Sequence, residues 1–359
     1  NTALGLLKCF NNQLTSLDVS TNTSLTNLDC SSNDITSLDV SANTALDYLR
    51  CGDNQLTSLD LSNNPALINL ECNDNELTSL DVSANIALTT LHSDRNPLTS
   101  LDVSSNVALT SLQCRNNQLT SLDVSNNTAL IGLICYNNSL TSLDVSNNTA
   151  LTSLECNTNQ LTSLDLSANT ALTLLISGGN PFTSLDLSAN TALITLACSY
   201  NQLTSLDVTN NTALTGLWCE WNQLTILDVS ANTALTNLEC QNNQLTTLDV
   251  SNNTSLDDNL NCYGNQLTYL NMKNGITYAL TNFDARDNSL TCIETLDPDY
   301  ATANWTNANG NIDAGVSFAD ICYASNPSYT NVPDNNFEQA LIDLGYDDVL
   351  DDYVLTANI

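Results

Sequence analysis

The chain has 359 residues, 42% of them hydrophobic but only 5% aromatic, so any core must be built from Leu, Val, Ala and Cys. Its 39 acidic side chains against 6 Lys and Arg give a formal charge of −33, which repels phosphate backbones and anionic headgroups. Nucleic acid and membrane surfaces are therefore poor partners, and without a run of about 18 apolar residues no membrane insertion is expected.

From Cys9 onward one column recurs every 21 residues: Cys30, Cys51, Cys72, Ser93, Cys114, Cys135, Cys156, Ser177, Cys198, Cys219 and Cys240. Cys262 follows after 22, because the segment LDDNLNC carries one extra residue, and a degenerate unit, LTNFDARDNSL, spans Leu280 to Leu290. Each unit nests a phrase LxxLxCxxNx with a second phrase LTSLDVSxNTA, as in Leu25 to Ala45. Strict apolar alternation, Leu28 with Cys30 and Leu38 with Val40, predicts two short strands per unit and leaves no stretch for a helix. A single unit cannot bury its apolar side, so the units must stack into a solenoid with parallel sheets on two faces.

These nested phrases resemble those of secreted bacterial leucine-rich repeat proteins of the short 21-residue class, with Cys replacing Leu at the sixth position. The resemblance covers residues 1–290. It implies an all-β-rich solenoid, a right-handed coil with parallel β-sheets on two faces and little helix except a short C-terminal one.

The invariant columns read first as scaffold. Cys side chains alternate inward with Leu28 and its equivalents and act as small hydrophobes. Two asparagine columns, Asn12, Asn33, Asn54 onward and Asn22, Asn43, Asn64 onward, close the two corners by bonding turn backbone that would otherwise be buried and unpaired. The aspartate column is different. Asp18, Asp39, Asp60, Asp81, Asp102 and their successors to Asp249 face solvent one rung apart and repel one another. Relief must come from splay, from hydrogen bonds to Ser and backbone N–H groups, or from bound cations, with calcium as the candidate cofactor. Otherwise no cofactor is expected.

Specificity is expected where the repeat varies. Outward positions of the first strand and its rim gather an apolar and aromatic set, Ile134, Tyr136, Leu174, Ile176, Tyr200, Trp218 and Trp221, suited to a sugar ring or a protein hot spot. A second set, Arg50, His92, Arg95 and Arg115, concentrates the scarce positive charge. His92 is the only histidine and has no nucleophile beside it, so no enzymatic activity is expected.

After residue 290 the pattern stops. Residues 291–324 resemble the C-terminal cap of secreted bacterial repeat proteins, with Trp305 and Phe318 as plugs. Cys292 and Cys322, the only cysteines off the column, are expected to form a disulfide, which implies an oxidising, extracellular setting. Residues 325–332 read as a linker. Residues 333–359 resemble the N-terminal cap of a following array: Asn335 and Glu338 form a capping-box pattern, Phe337, Ala340, Leu341 and Leu344 form an apolar stripe, and Gly345 suits a helix stop. That order implies a tandem neighbour or head-to-tail self-association. The expected function is extracellular, non-enzymatic recognition or adhesion toward a protein or polysaccharide. A structural spacer or polymerising subunit of a surface appendage, and a calcium-dependent binding module, are the alternatives.

Overall fold

The computed structural model describes all residues except 277, 324, 333, 348–352 and 357–359. The chain forms two compact units, residues 1–203 and 204–359. Each is a coil of parallel strands, and among the described residues the second also carries two short helices and one antiparallel strand pair.

In the first unit, three-residue strands recur at 21-residue intervals from Leu6–Lys8 to Thr195–Ala197. They pair in parallel and in register, Leu7 with Leu28 and Leu28 with Leu49, so each column of the sequence becomes a column in space. The central Leu of each strand points into the core, and its neighbours point out. The Cys one residue past the strand is buried as well, Cys51 and Cys72 at 0% exposure. Two residues further on, each rung enters the left-handed region, from Asn11 (φ 57°) to Tyr200 (φ 55°), and this turns the chain out of the sheet.

The asparagines hold the corners as their columns suggest. Asn33 Nδ2 donates to the carbonyls of Cys9 (3.0 Å) and Cys30 (3.0 Å), while its Oδ1 accepts from Leu14 N at 3.0 Å. In the second column, Asn43 Nδ2 donates to Val19 O (3.1 Å) and Asn22 O (2.8 Å). One amide thereby serves backbone from two successive rungs, which is why the spacing cannot drift.

The second phrase buries its Leu and Val, Leu38 at 7% and Val40 at 1%, but in the first unit its backbones meet as β-structure only at the bridge Asp81–Asp102. In the second unit this face becomes a sheet of Thr247–Asp249, Tyr269–Asn271, Cys292–Glu294 and Ser317–Ala319. The ladder closes where the aspartate column ends. Opposite Asp249 stands Asn271, whose Nδ2 donates to Asp249 Oδ2 at 3.2 Å, so a like-charge pair is replaced by a hydrogen bond.

The first face of the second unit carries Gly216–Trp218, Asn237–Glu239, Asn259–Asn261 and Asn282–Asp284. Helix α1, Pro298–Asn304, packs against strand Ser317–Ala319 of the second face and is capped by Asp297, whose Oδ1 accepts from Tyr300 N at 2.9 Å. Trp305 is buried against Phe283 (centroids 4.7 Å apart) and Phe318 (6.0 Å). Glu294, fully buried, accepts from Cys322 N (3.1 Å), Asn326 Nδ2 (2.6 Å) and Tyr269 OH (3.2 Å) and pairs with Lys273 Nζ at 3.1 Å. Cys292 and Cys322 are joined by a disulfide with Cα atoms 5.8 Å apart.

The last segment pairs Tyr329–Asn331 antiparallel with Tyr353–Leu355, with helix α2, Asn335–Asp343, between them. The first-turn amide of Phe337 goes to Asp334 Oδ1 (3.3 Å), so Asp334 supplies the cap; the side chain of Asn335 is not among those described. The buried helix face is also rotated from the expected stripe. Glu338 and Leu341 are inside, Leu341 against Val332 and Val354, whereas Phe337 and Leu344 are 56% and 69% exposed. The hairpin covers only one narrow side of the helix, and that side contains Leu341 alone of the four apolar residues.

Candidate recognition surfaces

In the first unit the outward side chains lie in strict files. Ile134 stands between Gln113 and Glu155, Ile176 between Glu155 and Ala197, and Leu174 between Ser153 and Thr195. All three are half-buried by their neighbours, and Glu155 separates the two isoleucines. Tyr136 lies under the Arg115 guanidinium, 5.4 Å from its centroid, and its hydroxyl accepts from Arg115 Nη1 at 3.0 Å. Tyr200 is 59% exposed on its left-handed turn. Three further apolar side chains were missed in the sequence. Ile68, Ile131 and Ile194, immediately before strands Asn69–Glu71, Gly132–Ile134 and Thr195–Ala197, are 47%, 49% and 45% exposed. That position is usually Thr, so its change to Ile is the signal that could have found them.

The four basic residues do not form an open positive patch. Arg50 pairs with Glu71 at 3.2 Å and lies 4.0 Å from Asp29, on the rungs either side. Arg95 pairs with Asp74 at 3.2 Å, and Arg115 lies 3.6 Å from Asp94. His92 is half-buried, and burial holds its pKa below the ordinary imidazole value, partly opposed by Glu71.

The aspartates find relief locally. Oδ1 of Asp18, Asp39, Asp60, Asp81 and Asp102 accepts the backbone N–H of the serine two residues on, at 2.9–3.0 Å. Hydrogen bonds from that serine hold these carboxyls below the usual carboxylate range. Among the described residues no group of three or more His, Cys, Asp or Glu is placed to hold a metal ion. The cysteine column is protonated core: burial pushes the thiols of Cys30, Cys72 and Cys156 up to about 12.

In the second unit, Trp218 occupies the outward end of strand Gly216–Trp218, and its Nε1 donates to Glu239 Oε1 at 3.2 Å. Its indole folds back over Gly216, where a Cβ would overlap the ring. Trp221 follows on the left-handed turn (φ 56°), 48% exposed. Ile134, Tyr136, Leu174, Ile176 and Tyr200 thus belong to the first unit, and Trp218 and Trp221 to the second.

No protein-family model and no curated protein sequence matches the chain. Solved structures do. The functional domain of InlJ from Listeria monocytogenes, which includes a cysteine ladder, is 41% identical with a TM-score of 0.70, covering 79% of this chain and 68% of that one. The internalin InlF from Listeria monocytogenes is 26% identical with a TM-score of 0.68, covering 77% and 84%. The Leptospira interrogans protein LIC12759, at 22% identity and a TM-score of 0.62 over 77% and 88%, shares the fold. A first-phrase strand in every turn, an asparagine at each corner, an in-line cysteine column and the 41% identity to the InlJ domain converge: the chain belongs to the leucine-rich repeat proteins.

Proposed function

We propose that the chain is a non-enzymatic, extracellular recognition module that binds a protein through the outward face of its first-strand sheet. The carrying observation is the apolar set of the first unit. Ile131, Ile134, Leu174, Ile176 and Ile194 gather large aliphatic side chains within four successive rungs of a surface whose other residues, apart from Leu6, Tyr48, Ile68 and Ala197, are polar or charged. Aliphatic groups beside Tyr136, Arg115 and Tyr200 have the composition of a protein interface core, where apolar, aromatic and Arg side chains are desolvated together. The disulfide of the second unit supports an extracellular setting. Among the described residues no helix is long and apolar enough to cross a membrane.

The test is affinity capture from extracellular and cell-surface protein extracts with the wild type and with an Ile134→Asp/Ile176→Asp variant, followed by titration of the captured protein. The double substitution is expected to weaken binding at least tenfold while leaving the melting temperature within a few degrees. A captured protein that binds both forms equally removes the first-unit face as the site.

A further inference from the structure

A trough of about 550 Å³, within the range of small-molecule sites, opens on the sheet face of the second unit. Its floor is set by three adjacent strands in register, Asn237 beside Asn259 beside Asn282, and Glu239 beside Asn261 beside Asp284. One wall is the loop Asn309–Asn311. Asn311 Nδ2 donates to Phe283 O at 2.9 Å, Ala285 N donates to Asn311 O at 2.8 Å, and Gly310, at φ 76°, lies over the Arg286 guanidinium. The side chains are held as well. Glu239 Oε1 accepts from both Trp218 Nε1 and Asn259 Nδ2 (3.0 Å), and Oε2 accepts from Gln241 Nε2 at 3.1 Å.

The lining decides what fits. Asp284 is neutralised by Arg286, at 2.6 Å and 3.0 Å, which leaves Glu239 and Asp258 to repel an anion. Glu239 already serves three N–H donors, so it is poorly disposed to hold a metal ion. Apart from Phe283, itself buried, the floor and walls offer amides, carboxylates and the Thr281 hydroxyl, with little to desolvate a purely apolar ligand. Side-chain amides present a donor and an acceptor in one plane, which matches neighbouring hydroxyls that each donate and accept. Beside the trough, Trp218 stands in register with Glu239, its indole laid over Gly216 and tethered through Nε1. A ring held flat in this way is a platform for the C–H face of a pyranose.

We infer that the trough and Trp218 form a saccharide site, taking a neutral or amino-sugar oligosaccharide with one ring on the indole and its hydroxyls on the Asn237, Asn259 and Asn282 amides. The site lies in the second unit and does not depend on the protein-binding reading of the first. The full chain should be screened on an array of neutral, N-acetylated and free-amine oligosaccharides, and the best-retained probe titrated by calorimetry and tryptophan fluorescence. Binding is expected to fall at least tenfold in Trp218→Ala and severalfold in Asn237→Ala and in the exposed Asn282→Ala, partly restored in Trp218→Phe, and to be unchanged in Ile134→Asp/Ile176→Asp. Three results overturn the assignment: folded protein that retains no oligosaccharide, retention indifferent to both Trp218→Ala and Asn237→Ala, or binding confined to a lysine-rich peptide and abolished by Glu239→Gln.

Discussion

Asn75→Ala tests whether the corner amides hold the stack together. Asn75 Oδ1 accepts from Leu56 N at 2.9 Å, and its Nδ2 donates to Cys51 O (3.1 Å), Cys72 O (3.2 Å) and Asn73 O (3.2 Å). Truncation strands the Leu56 amide and weakens the bonding of carbonyls on two rungs. With about 1–3 kcal/mol for each buried group left unpaired, the loss comes to roughly 3 kcal/mol. Rungs contact only their neighbours, so the damage is local and should also split the unfolding transition. Urea unfolding followed by circular dichroism should show a lower midpoint and a smaller apparent m-value. Asn75→Asp is the informative companion. It keeps the acceptor for Leu56 N but turns a carboxylate toward the Cys51 and Cys72 carbonyls, so it should be no milder than Ala. A loss below about 1 kcal/mol in Asn75→Ala, or a clearly milder Asp variant, refutes the account.

Other consequences are as direct. In native protein only Cys9, the one half-buried thiol of the column, should react promptly with Ellman's reagent, and the others should react after denaturation. Ser177→Cys should stabilise by about 1–2 kcal/mol in thermal unfolding, because the Ser177 hydroxyl is buried without a partner among the described residues. Burial pushes the Asp94 carboxyl up to about 6. A raised carboxyl adds stability below its unfolded pKa and loses it as pH rises through about 6. Asp94→Asn should therefore be the more stable protein at pH 7.5, by on the order of 2 kcal/mol, and show no advantage near pH 4 in parallel melts. Reducing Cys292–Cys322, which are 30 residues apart, should destabilise the second unit by about 3–4 kcal/mol without altering thiol accessibility in the first.

The scaffold was legible because its constraints repeat. A column that must fit the rung above and below declares itself by period alone, and Cys, Asn and the central Leu all did. What the period could not show was how unlike residues on adjacent rungs meet. Arg50, Arg95 and Arg115 read as a basic set, yet each lies beside a carboxylate on a neighbouring rung, Glu71, Asp74 and Asp94 in turn. The trough was equally hidden, because Asn237, Asn259 and Asn282 are ordinary outward residues until the loop at Asn309–Asn311 rises beside them. Two segments far apart in sequence make that site, and no repeat pattern encodes their meeting.

One column carries information that its composition only half declares. The left-handed position of each rung holds mostly Asn, Asp or Gly, the residues that enter that region at least cost. Arg95, Tyr200 and Trp221 hold the same conformation at φ 49°, 55° and 56°, where a bulky side chain costs about 1–2 kcal/mol more. Neighbouring rungs show that a cheaper residue fits: Gly179 and Asn242 occupy equivalent positions one or two rungs away. Tyr200 and Trp221 nevertheless leave 59% and 48% of their surface exposed. A residue that strains its backbone and covers little core is better explained by what it presents outward. By that reasoning the left-handed turns of each unit, with the half-buried files beside them, are the first places to substitute in testing the proposed recognition.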